Sequence, residues 1–428
     1  MSPTSGELIT GSVMEDAMLH KDRLLIIQER MHDSAVATME EELTRDNEEL
    51  GIIEVNDAHT EDLVDTRIAD KKVRISPELI IRRIPLLKES AETTRKSRIN
   101  VEKILVGKDG RIFIIVGPCS IHDPEVALEY AQKVKEWREK YGDDLEIIMR
   151  FYPEKPRTEL KEDPLASWEG FGSDPRIDGT RDINLGMIAT RILASQITKM
   201  GVPLAVERLD PTTPQYIDGL VVYDAIGART TTSQNARHYG SGTSSVLGFK
   251  NTTEGNIDAA VEAVASARVG STFSGTSKPG MPMEIWTTGN ETAHVILRGF
   301  EENKQYIPNY TPDYVAITKE KLRAKGLPAS IVIDASHANS GKKASRQMEA
   351  VKEVARQIMM GETAIKGVMI ESNLVAGKQD ILVARNNGTE LVYGQSITDE
   401  CVGLEETESM LRLLSGAVKM RRSIVVVG

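Results

Sequence analysis

Cysteine is nearly absent from this 428-residue chain, which has only Cys119 and Cys401. Two cysteines cannot build a disulfide framework, so the expectation is a reduced, cytoplasmic protein. Aromatic residues make up 4%, too few for base-stacking platforms or for the aromatic belts of membrane proteins. Basic residues are outnumbered, 53 Lys and Arg against 64 Asp and Glu, for a net charge of −11. A general nucleic-acid binder needs a basic surface to displace counterions, so no nucleic-acid partner is expected, although a local basic pocket stays open. Long apolar runs are missing too. Stretches such as residues 112–116 are far too short to cross a bilayer, and no membrane association is expected. Residues 1–11 have no basic start followed by an apolar stretch, so no targeting segment is expected.

What is present is a globular composition, 40% apolar and 27% charged. Residues 14–31 carry an apolar stripe at helical spacing, from Met18 and Leu19 to Met31. Residues 40–65 then hold eleven acidic residues against one basic residue, Arg45, which predicts a solvated linker or an arm that packs on another subunit. The expected division is an N-terminal helical or extended extension over 1–65 and a catalytic domain over 66–428.

Within 66–428, short β-branched runs alternate with amphipathic stretches. The runs are 111–116, 145–149, 202–206, 225–228, 246–249, 294–297, 330–333 and 367–370, and helical patterns such as 124–140, 183–200, 257–268 and 345–360 lie between them. Strands that are apolar throughout and alternate with helices are parallel and covered on their outer face. Eight of them predict a (β/α)8 TIM barrel. An open doubly wound sheet is the alternative, but Gly117-Pro118-Cys119-Ser120 after the first run is no Gly-x-Gly-x-x-Gly turn.

In such barrels the chemistry sits at the carboxyl ends of the strands. Reading just past each run gives Cys119, Arg150, Glu207, Arg229, Lys250, Arg298, His337 and Glu371, all polar or ionisable. Arg150, Arg229, Lys250 and Arg298 put four cations on one rim of an acidic protein, and Lys155 and Arg157 follow on a loop stiffened by Pro156. Gathered cations need anions, and Arg pairs bidentately with phosphate and carboxylate, so a multiply charged ligand is implied. Cys119, His337, Glu371 and Asp399 offer sulfur, imidazole and two carboxylates, donors that one divalent transition metal accepts together. Their spacing is too long for a local metal motif. A buried thiol, a satisfied histidine and a helix cap explain them equally well on this ground alone.

The residues carry a family likeness. Val116-Gly-Pro-Cys-Ser-Ile-His-Asp123, Met149-Arg150, Glu154-Lys-Pro-Arg-Thr158 and Ala225-Ile-Gly-Ala-Arg-Thr-Thr231 resemble the motifs of type I 3-deoxy-D-arabino-heptulosonate 7-phosphate (DAHP) synthases. Gly248-Phe-Lys-Asn251, Ile296-Leu-Arg-Gly299, Ile333-Asp-Ala-Ser-His-Ala-Asn339, Val368-Met-Ile-Glu-Ser372 and Ser396-Ile-Thr-Asp399 continue the likeness in order. The subgroup it most resembles is the feedback-regulated enzymes of enteric bacteria and fungi. The resemblance implies an aldol-like condensation of phosphoenolpyruvate with erythrose 4-phosphate, releasing inorganic phosphate, by a homodimer or homotetramer. It implies that Arg150, Lys155, Arg229, Lys250 and Arg298 hold phosphoenolpyruvate, assisted by Glu207 and the backbone at Ala228. Arg157 and Thr158 would hold the phosphate of the aldose. Cys119, His337, Glu371 and Asp399 would hold one divalent Mn, Co, Fe or Zn ion per subunit. Pro214, Gln215 and Ser244 stand at positions resembling an effector pocket for an aromatic amino acid. Lys155 is the expected proton donor, with a pKa drawn toward neutrality by neighbouring cations.

The chain departs from the family pattern around these residues. The loop 159–170 is longer than usual and has Glu169 where a cation is usual, while Arg208 and Thr243 replace apolar residues and Phe300 replaces glycine. These departures leave two alternatives: condensation with a different aldose phosphate in secondary metabolism, and a non-catalytic regulatory subunit.

Overall fold

All eight runs become strands of one closed parallel ring: β1 (Ile112–Gly117), β2 (Leu145–Arg150), β3 (Leu204–Glu207), β4 (Val221–Ile226), β5 (Val246–Lys250), β6 (His294–Leu297), β7 (Ile331–Asp334) and β8 (Ile365–Glu371). Each strand neighbours the next, and β8 closes against β1. The protein is therefore a TIM barrel. The computed structural model describes residues 63–157 and 159–427, so the stripe over 14–31 and most of the acidic run fall outside the described residues. The chain divides into two units between Leu79 and Ile80. Residues 68–76 of the first have no regular structure.

Helix α1 (Lys88–Leu105) precedes the barrel, and α2 (Pro124–Tyr141), α3 (Ile183–Lys199), α4 (Gln234–Gly242), α5 (Ile257–Ala267), α6 (Pro312–Ala324), α7 (Gln347–Met359) and α8 (Leu404–Val427) follow its strands. Their starts are encoded locally. Asp123 accepts from the amides of Glu125 and Val126 with Pro124 behind it, and Asn256 accepts from the amide of Ala259. Each cap satisfies amides that the first turn leaves unpaired. Among the described residues no helix is long and apolar enough to cross a membrane.

Two strands sit elsewhere than the apolar runs predict. The third begins at Leu204, because Pro203 has no N–H to give a ladder. The fourth starts at Val221, and Gly227 and Ala228 belong to the turn beyond it. Asp224 hid that strand by interrupting its apolar run. It is fully buried there and pairs with Arg208 at 2.7 Å.

Side chains fill the barrel floor. Phe113, Tyr223 and His294 pack ring against ring, and the Tyr223 hydroxyl lies 2.8 Å from His294 Nε2. Burial pulls the His294 pKa down to about 4, so this floor is neutral. Gly248 is required beside it, since a Cβ there would collide with the Tyr223 hydroxyl and Ile296. The chemistry is left to the opposite end.

Candidate active site

A cavity of about 620 Å³ opens at the carboxyl ends of the strands. Its walls include Lys155 and Arg157 from the loop after β2, Glu207 closing β3, and Ala228 and Arg229 from the turn after β4. Lys250 closes β5, Arg298 follows β6, His337 follows β7, and Asp399 completes the rim. Nine of the residues singled out in the sequence thus meet in one space.

Three others lie under it. Cys119, Arg150 and Glu371 are essentially buried. The Arg150 guanidinium is not on the pocket wall. Its Nη2 is 2.9 Å from Glu371, its Nε donates to the Pro118 carbonyl at 3.0 Å, and its Cζ lies 3.7 Å from the Tyr152 ring centre. Arg150 therefore serves as the ion-pair partner that aims Glu371. Thr158 lies outside the described residues.

Cys119, Glu371 and Asp399 converge, each offering an atom within 4.8 Å of the others. Lys155 joins them, with Nζ 2.7 Å from Cys119 Sγ and 3.0 Å from Asp399 Oδ2. Burial pushes the Cys119 thiol up to about 12, and Glu371 adds to the rise. Asp399 is held well below the usual carboxylate range, chiefly by Lys155. A sulfur and two carboxylates that demand positive charge fit a divalent cation, and Lys155 partly meets that demand. The expected lowering of the Lys155 pKa is overturned. Burial does pull it down, but Cys119, Asp399 and Glu371 outweigh burial and raise it.

His337 stands outside the group of three. Its Nδ1 lies 3.0 Å from Asp334 and 2.7 Å from the Ser336 hydroxyl, and burial keeps the ring pKa below its ordinary value. A neutral imidazole whose Nδ1 faces a carboxylate and a hydroxyl leaves Nε2 as a lone-pair donor, the arrangement common behind metal ions. Asp334 also lies 3.0 Å from Lys250, so one buried carboxylate orients two pocket residues. Sequence reasoning passed over Asp334, although an aspartate ending an apolar strand was the signal. It also missed the buried asparagines beneath Arg298. Asn251 accepts from the Arg298 amide at 2.9 Å and from Asn309 at 3.1 Å, and Asn339 accepts from the Asn309 amide at 2.8 Å.

Pro214, Gln215 and Ser244 are not drawn into this cavity. Pro214 lines a separate void of about 10 Å³ with Arg208, Asp218 and Asp224. The Gln215 carbonyl accepts from Lys278 at 2.6 Å, and Ser244 is exposed. Arg208 fills this region, ion-paired to Asp224 at 2.7 Å and to Asp218 at 3.2 Å.

Comparison with known proteins gives one family. Residues 87–412 match the model of the DAHP synthetase I family. The Phe-sensitive phospho-2-dehydro-3-deoxyheptonate aldolase of Escherichia coli (strain K12) is 44% identical over 358 residues, 84% of this chain and 98% of that protein. The phospho-2-dehydro-3-deoxyheptonate aldolase AMT16 of Alternaria alternata is 41% identical over 363 residues, 84% of this chain and 94% of that protein. A solved structure of phospho-2-dehydro-3-deoxyheptonate aldolase from Francisella tularensis SCHU S4 superposes with a TM-score of 0.78 at 46% identity, covering 83% of this chain and 99% of that one. With the barrel, the cationic mouth and the motif order in agreement, the chain belongs to the DAHP synthetase I family.

Proposed function

We propose that this protein condenses phosphoenolpyruvate with erythrose 4-phosphate and water to give DAHP and inorganic phosphate, the first step of the shikimate pathway. The supporting observation is that Lys155, Arg157, Arg229, Lys250 and Arg298 share one cavity with His337 and Asp399. Two phosphorylated anions, one also a carboxylate, neutralise such a pocket.

In this mechanism Arg229, Lys250 and Arg298 hold the phosphate and carboxylate of phosphoenolpyruvate, with Glu207 and the Ala228 backbone beside them and Arg150 acting from below through Glu371. Arg157 and Thr158 hold the aldose phosphate. The enol π pair forms the new C–C bond to the aldehyde carbon. Water adds to the cationic carbon left behind, and that carbon then releases phosphate with its bridging oxygen. Lys155 gives its proton to the aldehyde oxygen as that oxygen becomes a hydroxyl. Glu207 takes the proton of the attacking water. Cys119, Glu371 and Asp399, with His337 as fourth donor, would hold one divalent Mn, Co, Fe or Zn ion, which as a Lewis acid favours negative charge on the aldehyde oxygen.

The direct test is phosphate release from phosphoenolpyruvate with a panel of aldose phosphates. Erythrose 4-phosphate should be the fastest. A faster alternative would identify a paralogue with another aldehyde substrate, and no release with any of them would leave only a regulatory subunit.

Arg157→Ala should raise the KM for the aldose phosphate and spare that for phosphoenolpyruvate. Losing a desolvated charge-assisted pair costs on the order of 2–5 kcal/mol. Steady-state kinetics with each substrate varied in turn checks this, and equal rises in both constants would refute the assignment.

Aromatic amino acids should inhibit weakly. Arg208 and its two aspartates leave a void of about 10 Å³ beside Pro214, which cannot admit an aromatic ring without leaving buried charges unpaired. In this proposal residues 1–65 form a subunit-contact arm. Titrating Phe, Tyr and Trp against the full chain and a chain lacking 1–65, with the oligomeric mass of each, tests both points. Strong inhibition of both forms at unchanged mass would overturn them.

A further inference from the structure

The outer wall of the cavity is built by residues that the mechanism above does not use. Directly after Arg298 and Gly299, strands Phe300–Glu302 and Gln305–Ile307 form an antiparallel hairpin that lines the mouth. Its two turn residues, Asn303 and Lys304, have φ of 50° and 62°, as a tight two-residue hairpin requires. The hairpin is anchored at its base. The Glu301 amide donates to the Thr253 carbonyl at 2.9 Å, and the Phe300 ring packs edge-on against Tyr314 at 5.9 Å. Gly255 leaves room for that ring, since a Cβ there would come within 2.6 Å of it. From this base Lys304 and Tyr306 reach the cavity, and Lys342 meets them from the other side with Nζ 5.0 Å above the Tyr306 ring. The Lys342 amide donates to the His337 carbonyl at 2.7 Å, which ties it to the rim. Among the described residues neither ammonium has a carboxylate within 4.0 Å. Two cations without counterions, on a braced wall of a ligand cavity, call for an anion from the ligand.

We propose that Lys304 and Lys342, spaced by Tyr306, are a second phosphate-recognition wall. It takes the phosphate of the aldehyde substrate together with Arg157 and so sets the length of aldose accepted. The inference rests on the condensation proposed above. Tyr306 contributes rigidity, since a cation held over an aromatic face loses less freedom on binding.

The test has a binding arm and a kinetic arm. Erythritol 4-phosphate, the reduced sugar that cannot condense, is titrated by calorimetry into metal-loaded protein saturated with phosphoenolpyruvate. Lys304→Ala and Lys342→Ala should each weaken binding about tenfold and the double variant about a hundredfold, as loss of charged hydrogen bonds predicts. Lys304→Arg and Lys342→Arg should restore most of the affinity. In kinetics the KM for phosphoenolpyruvate should stay within about twofold of wild type, and Tyr306→Ala should narrow the preference among four-, five- and six-carbon aldose phosphates. Equal affinity of wild type and double variant overturns the proposal, as does failure of the wild type to bind. Unchanged affinity with a kcat/KM defect that vanishes in high salt reassigns the lysines to long-range steering and overturns it too. Expected binding losses without phosphate release from any aldose phosphate would refute the condensation and leave this anion wall standing.

Discussion

Replacing Cys119 with alanine should abolish turnover while the barrel stays folded. The side chain is fully buried next to Glu371 and Asp399, and alanine fits its space with one atom fewer. What is lost is the soft donor of the group. Two carboxylates and the His337 imidazole then remain, with the Lys155 ammonium already paired to Asp399. Lewis-acid stabilisation is worth several kcal/mol, so the rate should fall on the order of 10³-fold or more. Bound metal should drop below one ion per chain, with the far-ultraviolet circular dichroism unchanged. Chelation of the wild type should reproduce the loss, and divalent Mn, Co, Fe or Zn should reverse it. A Cys119→Ala protein that is metal-free and fully active would refute the donor assignment.

The second large effect is expected at Asp334. Removing it strands Lys250, whose side chain is 3% exposed and 3.0 Å from that carboxylate. Breaking a buried pair on one side costs about 3–5 kcal/mol. Asp334→Ala should therefore lower the midpoint of denaturant unfolding markedly. Asp334→Asn keeps the shape and a partner for His337 but not the charge, and should lower metal affinity about 10–100-fold. The pH dependence has a definite sign. Lys250 and His337 hold the Asp334 pKa well below the carboxylate range, even against burial. A depressed pKa stabilises the fold above the unfolded value of about 3.9, and that contribution disappears as pH falls toward the folded value. The stability gap between wild type and Asp334→Asn should thus be constant near neutrality and shrink only in acid. A gap that opens on acidification would contradict the pairing.

The ring of strands was legible because each strand is buried on both faces and reads as an unbroken apolar run. It blurred where a charge is buried in partnership: Asp224 disguised β4, because its partner Arg208 comes from the end of the neighbouring strand β3. The cations of the mouth were legible because strand ends point there. That Arg150 lies beneath the cavity was not, since a strand ending in arginine reads the same whether its guanidinium meets ligand or Glu371. The Lys155 expectation failed for a related reason: cations nearby in sequence mattered less than the sulfur and carboxylates delivered by β1, β8 and the segment beyond. The mouth hairpin escaped notice because Glu301, Glu302, Asn303, Lys304 and Gln305 read as an exposed loop, and three-residue strands leave no periodicity.

Cys119 follows the first strand and Glu371 ends the eighth, and in the register between them Gly117 stands opposite Glu371. The donor cluster therefore straddles the seam at which the ring shuts. During synthesis the ribosome has completed seven strands before the first two donors can meet, and Asp399 emerges later still. An ion cannot template the early half of this chain. It would act as a clasp, gripping only a ring that has already closed, so the population able to retain metal would be the population whose first and last strands have found each other.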